Sequence, residues 1–201
     1  VIGMGGYVSA PALMAAKMMK VPLFLCEQNS VPGKVTRFFE KHARMIYGTF
    51  QGATAYLKHA DRYMRAGNPI RKNVLVDAKK DEAKKAFNLG HCKKVILVIG
   101  GSQGAVRINE LMFGLKKDYS DELKSVGLIW STGDFSFQNY RDRINNEIDE
   151  GSIYLSPFID KVGLAYRAAD MAISRSGAGV MMELAAMGLP SIQIPYPHAA
   201  D

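Results

Sequence analysis

Short, continuously apolar runs punctuate this chain, each followed by a longer stretch in which apolar residues recur every three to four positions. The runs are residues 22–26, 95–99, 128–131, 153–155, 171–174 and 191–194. A strand that is apolar at consecutive positions must be covered on both faces, which is the situation of a parallel strand between two layers of helix. Residues 10–20, 34–44, 81–89, 105–117, 135–148, 162–169 and 180–187 supply the helices. Strand-then-helix repetition predicts an α/β fold built on parallel sheets of the Rossmann type. Gly67-Asn68-Pro69 is turn chemistry, and the polar stretch Lys79-Lys80-Asp81-Glu82-Ala83-Lys84-Lys85 follows it before the next apolar run. Two Rossmann-like domains are therefore expected, residues 1–68 and 69–201. Val1-Ile2 enters the turn Gly3-Met4-Gly5-Gly6 as the end of a strand would, and residues 195–201 open a loop. The chain reads as an internal piece, truncated at both ends.

Composition narrows the partners. With 48% hydrophobic and 22% charged residues the chain is neither disordered, collagenous nor a coiled coil. No apolar run approaches the roughly 20 residues of a membrane-spanning helix. The two cysteines, Cys26 and Cys92, form no CxxC, which excludes a disulfide scaffold and a cysteine zinc site. Residues 1–100 hold 17 Lys and Arg against 6 Asp and Glu, a surplus of 11, whereas residues 101–201 hold 9 against 13. A surface this basic suits an anionic partner: nucleic acid, an acidic membrane or a phosphorylated substrate.

Ligands of open α/β sheets bind where strands end and helices begin. Four loops there carry usable chemistry. Gly100-Gly101-Ser102-Gln103-Gly104-Ala105 follows the run 95–99; its glycines admit close backbone approach, and the next helix would aim free N–H groups at a phosphate. It is neither a Walker A loop nor GxGxxG. Ser174-Arg175-Ser176-Gly177-Ala178-Gly179-Val180 leads into a helix bearing Glu183, a carboxylate that would accept from ribose hydroxyls or else complement the helix dipole. Glu27-Gln28-Asn29-Ser30 groups a carboxylate, two amides and a hydroxyl, suited to a sugar or to capping the helix that starts near Lys34. Arg71 follows the turn at Gly67-Asn68-Pro69, placed for a phosphate or simply solvated. His42, His59, His91 and His198 show no metal-ligand spacing. Methionines and phenylalanines lie among lysines in residues 10–20 and 34–44, a mixture that would rest on anionic lipid.

Taken in order, Gly3-Met4-Gly5-Gly6-Tyr7-Val8-Ser9, Glu27-Gln28-Asn29, Gly67-Asn68-Pro69-Ile70-Arg71, the loop 100–105 and Arg175-Ser176-Gly177-Ala178 are similar to the signature segments of the MurG family of bacterial glycosyltransferases. Ala185-Ala186-Met187-Gly188-Leu189-Pro190 and Pro195-Tyr196-Pro197-His198 extend the resemblance across the whole chain. It implies a GT-B fold, no metal or other cofactor, and transfer of N-acetylglucosamine, with inversion, from UDP-N-acetylglucosamine to the C4 hydroxyl of undecaprenyl-pyrophosphoryl-N-acetylmuramyl pentapeptide. Residues 1–68 would then be the C-terminal part of the acceptor- and membrane-side domain, and 69–201 most of the UDP-sugar domain. The resemblance puts Ser102 and Arg71 near the donor phosphates, Ile159 against the uracil, Ala178, Gly179 and Val180 along the nucleotide and Glu183 on the ribose. Asn29 would reach the donor sugar, and Glu27 would lie in the cleft as the candidate general base within this chain. It also implies peripheral attachment to an anionic membrane surface, the cytoplasmic face of the bacterial plasma membrane.

The chain departs from the family where Gly179-Val180 stands in place of the common Leu-Thr and Cys26 in place of His. The family's glycine-rich loop with its histidine falls before Val1 and its sugar-contacting glutamine pair after Asp201, so the piece alone is expected to be inactive. Three other readings compete. Another GT-B transferase or a UDP-sugar epimerase would share the donor half, but Tyr7 and Glu27-Gln28-Asn29 speak against it. A nicotinamide-dependent oxidoreductase would need GxGxxG with a following acidic residue. A non-catalytic basic module on nucleic acid would need a recognition motif that this chain lacks.

Overall fold

Parallel pairing governs both sheets of the protein. In the computed structural model, which describes residues 1–100, 105–148 and 150–196, the chain divides after Pro69 into two units. The first holds β1 (Ile2–Gly3), β2 (Leu23–Glu27), β3 (Ala43–Gly48) and β4 (Tyr63–Arg65), hydrogen-bonded in that order and parallel throughout. Helices α1 (Ala10–Met18) and α2 (Lys34–Phe39) make the first two crossovers. Leu13 and Ala16 of α1, Val35 and Phe39 of α2, and Leu23, Leu25 and Ile46 of the strands form its core.

The helix expected over residues 34–44 stops early. It ends at Phe39, a 3₁₀ turn covers Glu40–His42, and Ala43 opens β3. The buried Glu40 carboxylate accepts the backbone N–H groups of Lys58 and His59, at 2.9 and 3.2 Å, and so ties the helix end to a distant loop. Neither β3 nor β4 was legible as an apolar run, because Arg44, Tyr47 and Arg65 interrupt both segments. The crossover from β3 to β4 uses 3₁₀ turns (Gln51–Tyr56, Ala60–Arg62) where an α-helix is usual. Gly48 is required at the end of β3: the ring of Tyr63 occupies the space where a Cβ would stand.

The second unit has five strands: β5 (Lys94–Ile99), β6 (Val126–Ser131), β7 (Ile153–Ser156), β8 (Met171–Arg175) and β9 (Ser191–Ile194). Their spatial order is β7-β6-β5-β8-β9, again wholly parallel. The helices are α3 (Lys80–Lys85), α4 (Val106–Asp118), α5 (Asp134–Glu147), α6 (Val162–Ala168) and α7 (Ala178–Ala186). Both faces of the sheet are packed. Val95, Leu97 and Ile129 meet Ala83, Ala165 and Leu184 of α3, α6 and α7, while Val98, Leu128 and Trp130 meet Ile108, Met112 and Tyr140 of α4 and α5. The continuous apolarity of these runs is thus used on two sides. Gly163 lets α6 lie directly on the incoming chain, since a Cβ there would strike the carbonyl oxygens of Asn73 and Val74. The basic surplus does not follow the division into units: residues 70–100 carry 8 Lys and Arg against 3 Asp and Glu, inside the second unit.

Asp170 joins β8 to the start of β5. Its carboxylate accepts from the Lys80 ammonium at 2.8 Å, the Val95 N–H at 2.9 Å and the Lys94 ammonium at 3.2 Å. Burial alone would raise this carboxyl, but those donors outweigh it and hold it down at about 2. A carboxylate depressed by folding contributes its stability above its unfolded value of roughly 4 and loses it as pH falls toward the folded one. Asp170→Asn is therefore expected to cost about 1–2 kcal/mol at neutral pH. Denaturant melts at a series of pH values should show that difference shrinking between about pH 4 and pH 2.

Candidate active site

The order of the second sheet reverses at β5. From β5 the chain steps outward through β6 to β7, then returns to place β8 and β9 on the other side. Crossovers on the two sides leave a crevice at the carboxyl ends of β5 and β8, the usual place for a ligand in such a sheet. A pocket of about 150 Å³ opens there, lined by Ile99 and Ser131 at the ends of β5 and β6, by Phe158 and Ile159 after β7, and by Val162, Tyr166, Val180, Glu183 and Arg71. Small-molecule sites usually exceed roughly 300 Å³, so it holds one ring or sugar, with the rest of a ligand outside.

Backbone bonds between strand ends set the pocket's wall. Thr132 N–H donates to Ser156 O and Gly133 N–H to Pro157 O, both at 3.1 Å, and the Ser131 hydroxyl also reaches Pro157 O. The loop after β7 is held against β6 in this way, and Ile159 turns inward, 6% exposed. Behind it, Asn109 of α4 is fully buried; it donates to Thr132 O at 2.9 Å and accepts from the Trp130 indole N–H at 3.0 Å.

The polar centre of the pocket is Glu183, on the second turn of α7 and 7% exposed. Arg71 grips it with two bonds, Nε to Oε1 at 2.9 Å and Nη2 to Oε2 at 3.1 Å, and the Tyr166 hydroxyl donates to Oε2 at 2.8 Å. The hydrogen bond to Glu183 raises the Arg71 guanidinium further above its ordinary value. Burial, then the bond to Glu183, pushes the Tyr166 phenol up, so it stays a donor. Arg71 and Glu183, read separately in the sequence, are thus partners of one another.

Of the residues singled out in the sequence, Arg71, Ile159, Val180 and Glu183 converge on this pocket although Arg71 and Glu183 are 112 positions apart. Ala178 and Gly179 open α7 beside it, after the capping residue Gly177. Ser102 and the rest of residues 101–104 lie outside the described residues, between the end of β5 and the Ala105 cap of α4.

Glu27 and Asn29 belong to the first unit, at the carboxyl end of β2. Glu27 is 4% exposed; its Oε1 accepts the Asn29 N–H at 3.0 Å, and its Oε2 accepts the Gly33 N–H at 3.0 Å and the Thr36 hydroxyl at 2.6 Å. Both oxygens of Glu27 thus organise the loop 28–33 and the start of α2, and a role as general base would draw on a carboxylate already engaged by three donors. Asn29 is left exposed at the loop's edge. Among the described residues no group of three or more His, Cys, Asp and Glu is gathered as a metal site.

Two parallel α/β units of the Rossmann type, one with a polar-centred pocket at its switch point, define the class: Rossmann-fold proteins that take a ligand at the carboxyl edge of a parallel sheet. Residues 95–201 match the glycosyltransferase family 28 C-terminal domain and residues 1–48 the family's N-terminal domain. The chain belongs to glycosyltransferase family 28. It is 39% identical over 202 residues to the UDP-N-acetylglucosamine–N-acetylmuramyl-(pentapeptide) pyrophosphoryl-undecaprenol N-acetylglucosamine transferase of Christiangramia forsetii, covering 100% of this chain and 53% of that protein. The Aquifex aeolicus protein of the same name is 36% identical over 197 residues, covering 98% of this chain and 54% of its own length. The chain therefore spans about half the length of the curated relatives it matches. Among solved structures, Acinetobacter baumannii MurG superposes with a TM-score of 0.68 at 23% identity, covering 100% of this chain and 53% of that one. A Listeria monocytogenes protein described as a putative UDP-N-acetylglucosamine 2-epimerase reaches the same TM-score, 0.68, at 18% identity over 96% of this chain and 56% of its own. These two likenesses bear on the fold alone and do not separate transferase from epimerase.

Tyr166 was missed in the sequence. An aromatic on a short helix has the periodicity of a core residue, and nothing nearby in the chain signals that its hydroxyl meets Glu183. For Glu27, the loop-organising role makes a direct expectation. Glu27→Gln presents an amide to donors that need an acceptor, and should destabilise the first unit by about 1–3 kcal/mol. Hydrogen exchange should quicken at the amides of Asn29 and Gly33 first.

Proposed function

We propose that this protein binds a UDP-sugar at the carboxyl edge of its second sheet and transfers the sugar to a lipid-linked acceptor. The specific reaction we assign is transfer of N-acetylglucosamine from UDP-N-acetylglucosamine to the C4 hydroxyl of undecaprenyl-pyrophosphoryl-N-acetylmuramyl pentapeptide, in peptidoglycan synthesis. The observation that carries this reading is the convergence of Arg71, Ile159, Val180 and Glu183 on one pocket. The apolar wall of Ile159, Val162 and Val180 suits a pyrimidine, the Glu183 carboxylate suits ribose hydroxyls, and the exposed guanidinium of Arg71 suits phosphate. The names of the relatives point to the same donor and acceptor.

In the proposed reaction the acceptor oxygen attacks the anomeric carbon as the bond to UDP breaks, which inverts the configuration there. A base takes the hydroxyl proton, and positive groups at the nucleotide site stabilise the departing diphosphate. Ser102 and the start of α7, at Ala178, Gly179 and Val180, are the parts we assign to the phosphates and nucleotide. Asn29 is assigned to the donor sugar, with Glu27 positioning the loop that carries it. No described residue is assigned as the base.

Calorimetry on the full chain tests the donor assignment. UDP should bind more tightly than ADP or GDP, and Glu183→Ala should weaken UDP by about 1–3 kcal/mol, the worth of a hydrogen bond to a charged group. Equal affinity for all three nucleotides overturns the uracil assignment. Release of UDP from UDP-N-acetylglucosamine only when the lipid-linked muramyl peptide is present would support transfer, and conversion to a 2-epimer would favour the epimerase reading.

We further assign the first unit to an anionic membrane surface, as a peripheral attachment at the cytoplasmic face of the plasma membrane. Tyr7, Pro11, Met14, Val35 and Phe38 line an open apolar groove of about 520 Å³ together with Lys34. Met18 and Met19 stand exposed beside Lys17 and Lys20. No described helix is long and apolar enough to cross a membrane. Binding to anionic vesicles should weaken as salt rises, since exposed charges are screened over about 10 Å at 0.1 M. Charge reversal at Lys17, Lys20 and Lys34 should reduce vesicle binding in a flotation assay and leave UDP affinity unchanged; salt-insensitive binding to neutral lipid contradicts the assignment.

A further inference from the structure

Glu183 is held by two partners that differ sharply in their freedom to leave. The side chain of Arg71 is 55% exposed, on the segment that enters the second unit, and its guanidinium can be drawn to another anion without disturbing the core. Tyr166 is 3% exposed, a member of the apolar cluster that also holds Val162, Ala165 and Leu184. Its hydroxyl has the Glu183 carboxylate as its acceptor, and its ring is packed in that cluster.

Acceptor arithmetic then limits what a sugar can do here. An ionised carboxylate offers about four lone-pair positions. Arg71 takes two and Tyr166 one. A ribose diol brings two more donors, so both fit only if Arg71 gives up at least one of its bonds. The carboxylate plane turns on a soft sp³–sp² torsion and has no strong preference of its own. Once Arg71 is displaced, the Tyr166 hydroxyl is the donor that still fixes which way the remaining lone pairs face. It also keeps a nearly buried anion from being left unpaired during the exchange, an arrangement that is otherwise strongly unfavourable.

We propose that Tyr166 is the fixed positioning residue for Glu183 and, through it, sets the preference of this pocket for ribose over a sugar lacking the vicinal hydroxyls, while Arg71 is the exchangeable partner. The proposal rests on the reading of Glu183 as the ribose acceptor. Tyr166 acts through the carboxylate and touches no reacting atom. Its phenol is raised by burial and by the bond to Glu183, which keeps it a donor at neutral pH.

The test is a set of affinities for UDP and for 2′,3′-dideoxy-UDP, measured by calorimetry on the full chain and on three variants. The unaltered protein should prefer UDP by about tenfold or more, as hydrogen bonds to a charged group imply. Tyr166→Phe keeps the ring and its packing; it should lose most of that preference while its affinity for the dideoxy compound changes less than about twofold. Arg71→Ala should weaken both compounds through the diphosphate yet retain the preference, because Tyr166 still orients the carboxylate. This second variant decides the matter if Tyr166→Phe folds poorly: loss of the preference in a folded Arg71→Ala protein overturns the division into fixed and exchangeable partners. A preference unchanged in Tyr166→Phe but abolished in Glu183→Gln overturns the role of Tyr166 alone. A preference unchanged in Glu183→Gln overturns the ribose reading itself, and the proposal with it.

Discussion

A parallel strand can be joined to its neighbour only by a crossover that carries the chain back to the starting edge of the sheet. Every sheet pairing in this protein is of that kind, so in each unit the loops that follow the strands collect at one edge and those that precede them at the other. Most of what bears on function follows from this constraint. In the second unit the order β7-β6-β5-β8-β9 parts the crossovers at β5, and the gap is where Ile99, Ser131, Ile159 and Glu183 meet. In the first unit the same rule brings Glu27, at the end of β2, beside Thr49, at the end of β3, whose N–H donates to Glu27 O at 3.0 Å.

Packing on both faces leaves these sheets few places for polar groups, and three of the buried ones are matched to several partners each. Lys116 threads its ammonium to Leu123 O, Val126 O and the Ser152 hydroxyl. Lys84 does the same with Cys92 O and Lys93 O. Asn109 bridges Trp130 and Thr132. These groups close loops at the two ends of the sheet, where backbone carbonyls would otherwise lack donors. Glu183 differs from them in one respect. One of its partners, Arg71, is more than half exposed, whereas Lys116, Lys84 and Asn109 bond to backbone carbonyls and buried side chains.

Much of the second unit was legible in the chain. Residues 95–99, 128–131, 153–155, 171–174 and 191–194 all lie within strands; the central runs 95–99, 128–131 and 171–174 are those most fully covered, while the edge run 191–194 leaves Ile192 exposed. The first unit was read less well. β3 carries Arg44 and Tyr47 between its buried Ala43, Ile46 and Gly48, and its first two residues read as the tail of the preceding helix. Only pairing with β2 makes that segment extended. β4, three residues long with an exposed Met64 and Arg65, has no internal pattern to find. The site residues were legible as types at loop positions: a carboxylate one turn into a helix, an arginine after a rigid turn.

The sequence by itself determined the alternation of strands and helices, the turn that separates the units, the basic character of residues 1–100 and the loops able to hold a nucleotide sugar. These properties are local, set by side-chain period, by turn chemistry and by charge. Tertiary structure alone decided that Arg71 and Glu183 pair across 112 positions, that Tyr166 holds the same carboxylate, and that Glu27 organises the loop 28–33. Such facts depend on which groups an open sheet packed on two faces buries together, and a buried charge takes whatever donors the fold brings within about 3 Å, however distant they are along the chain.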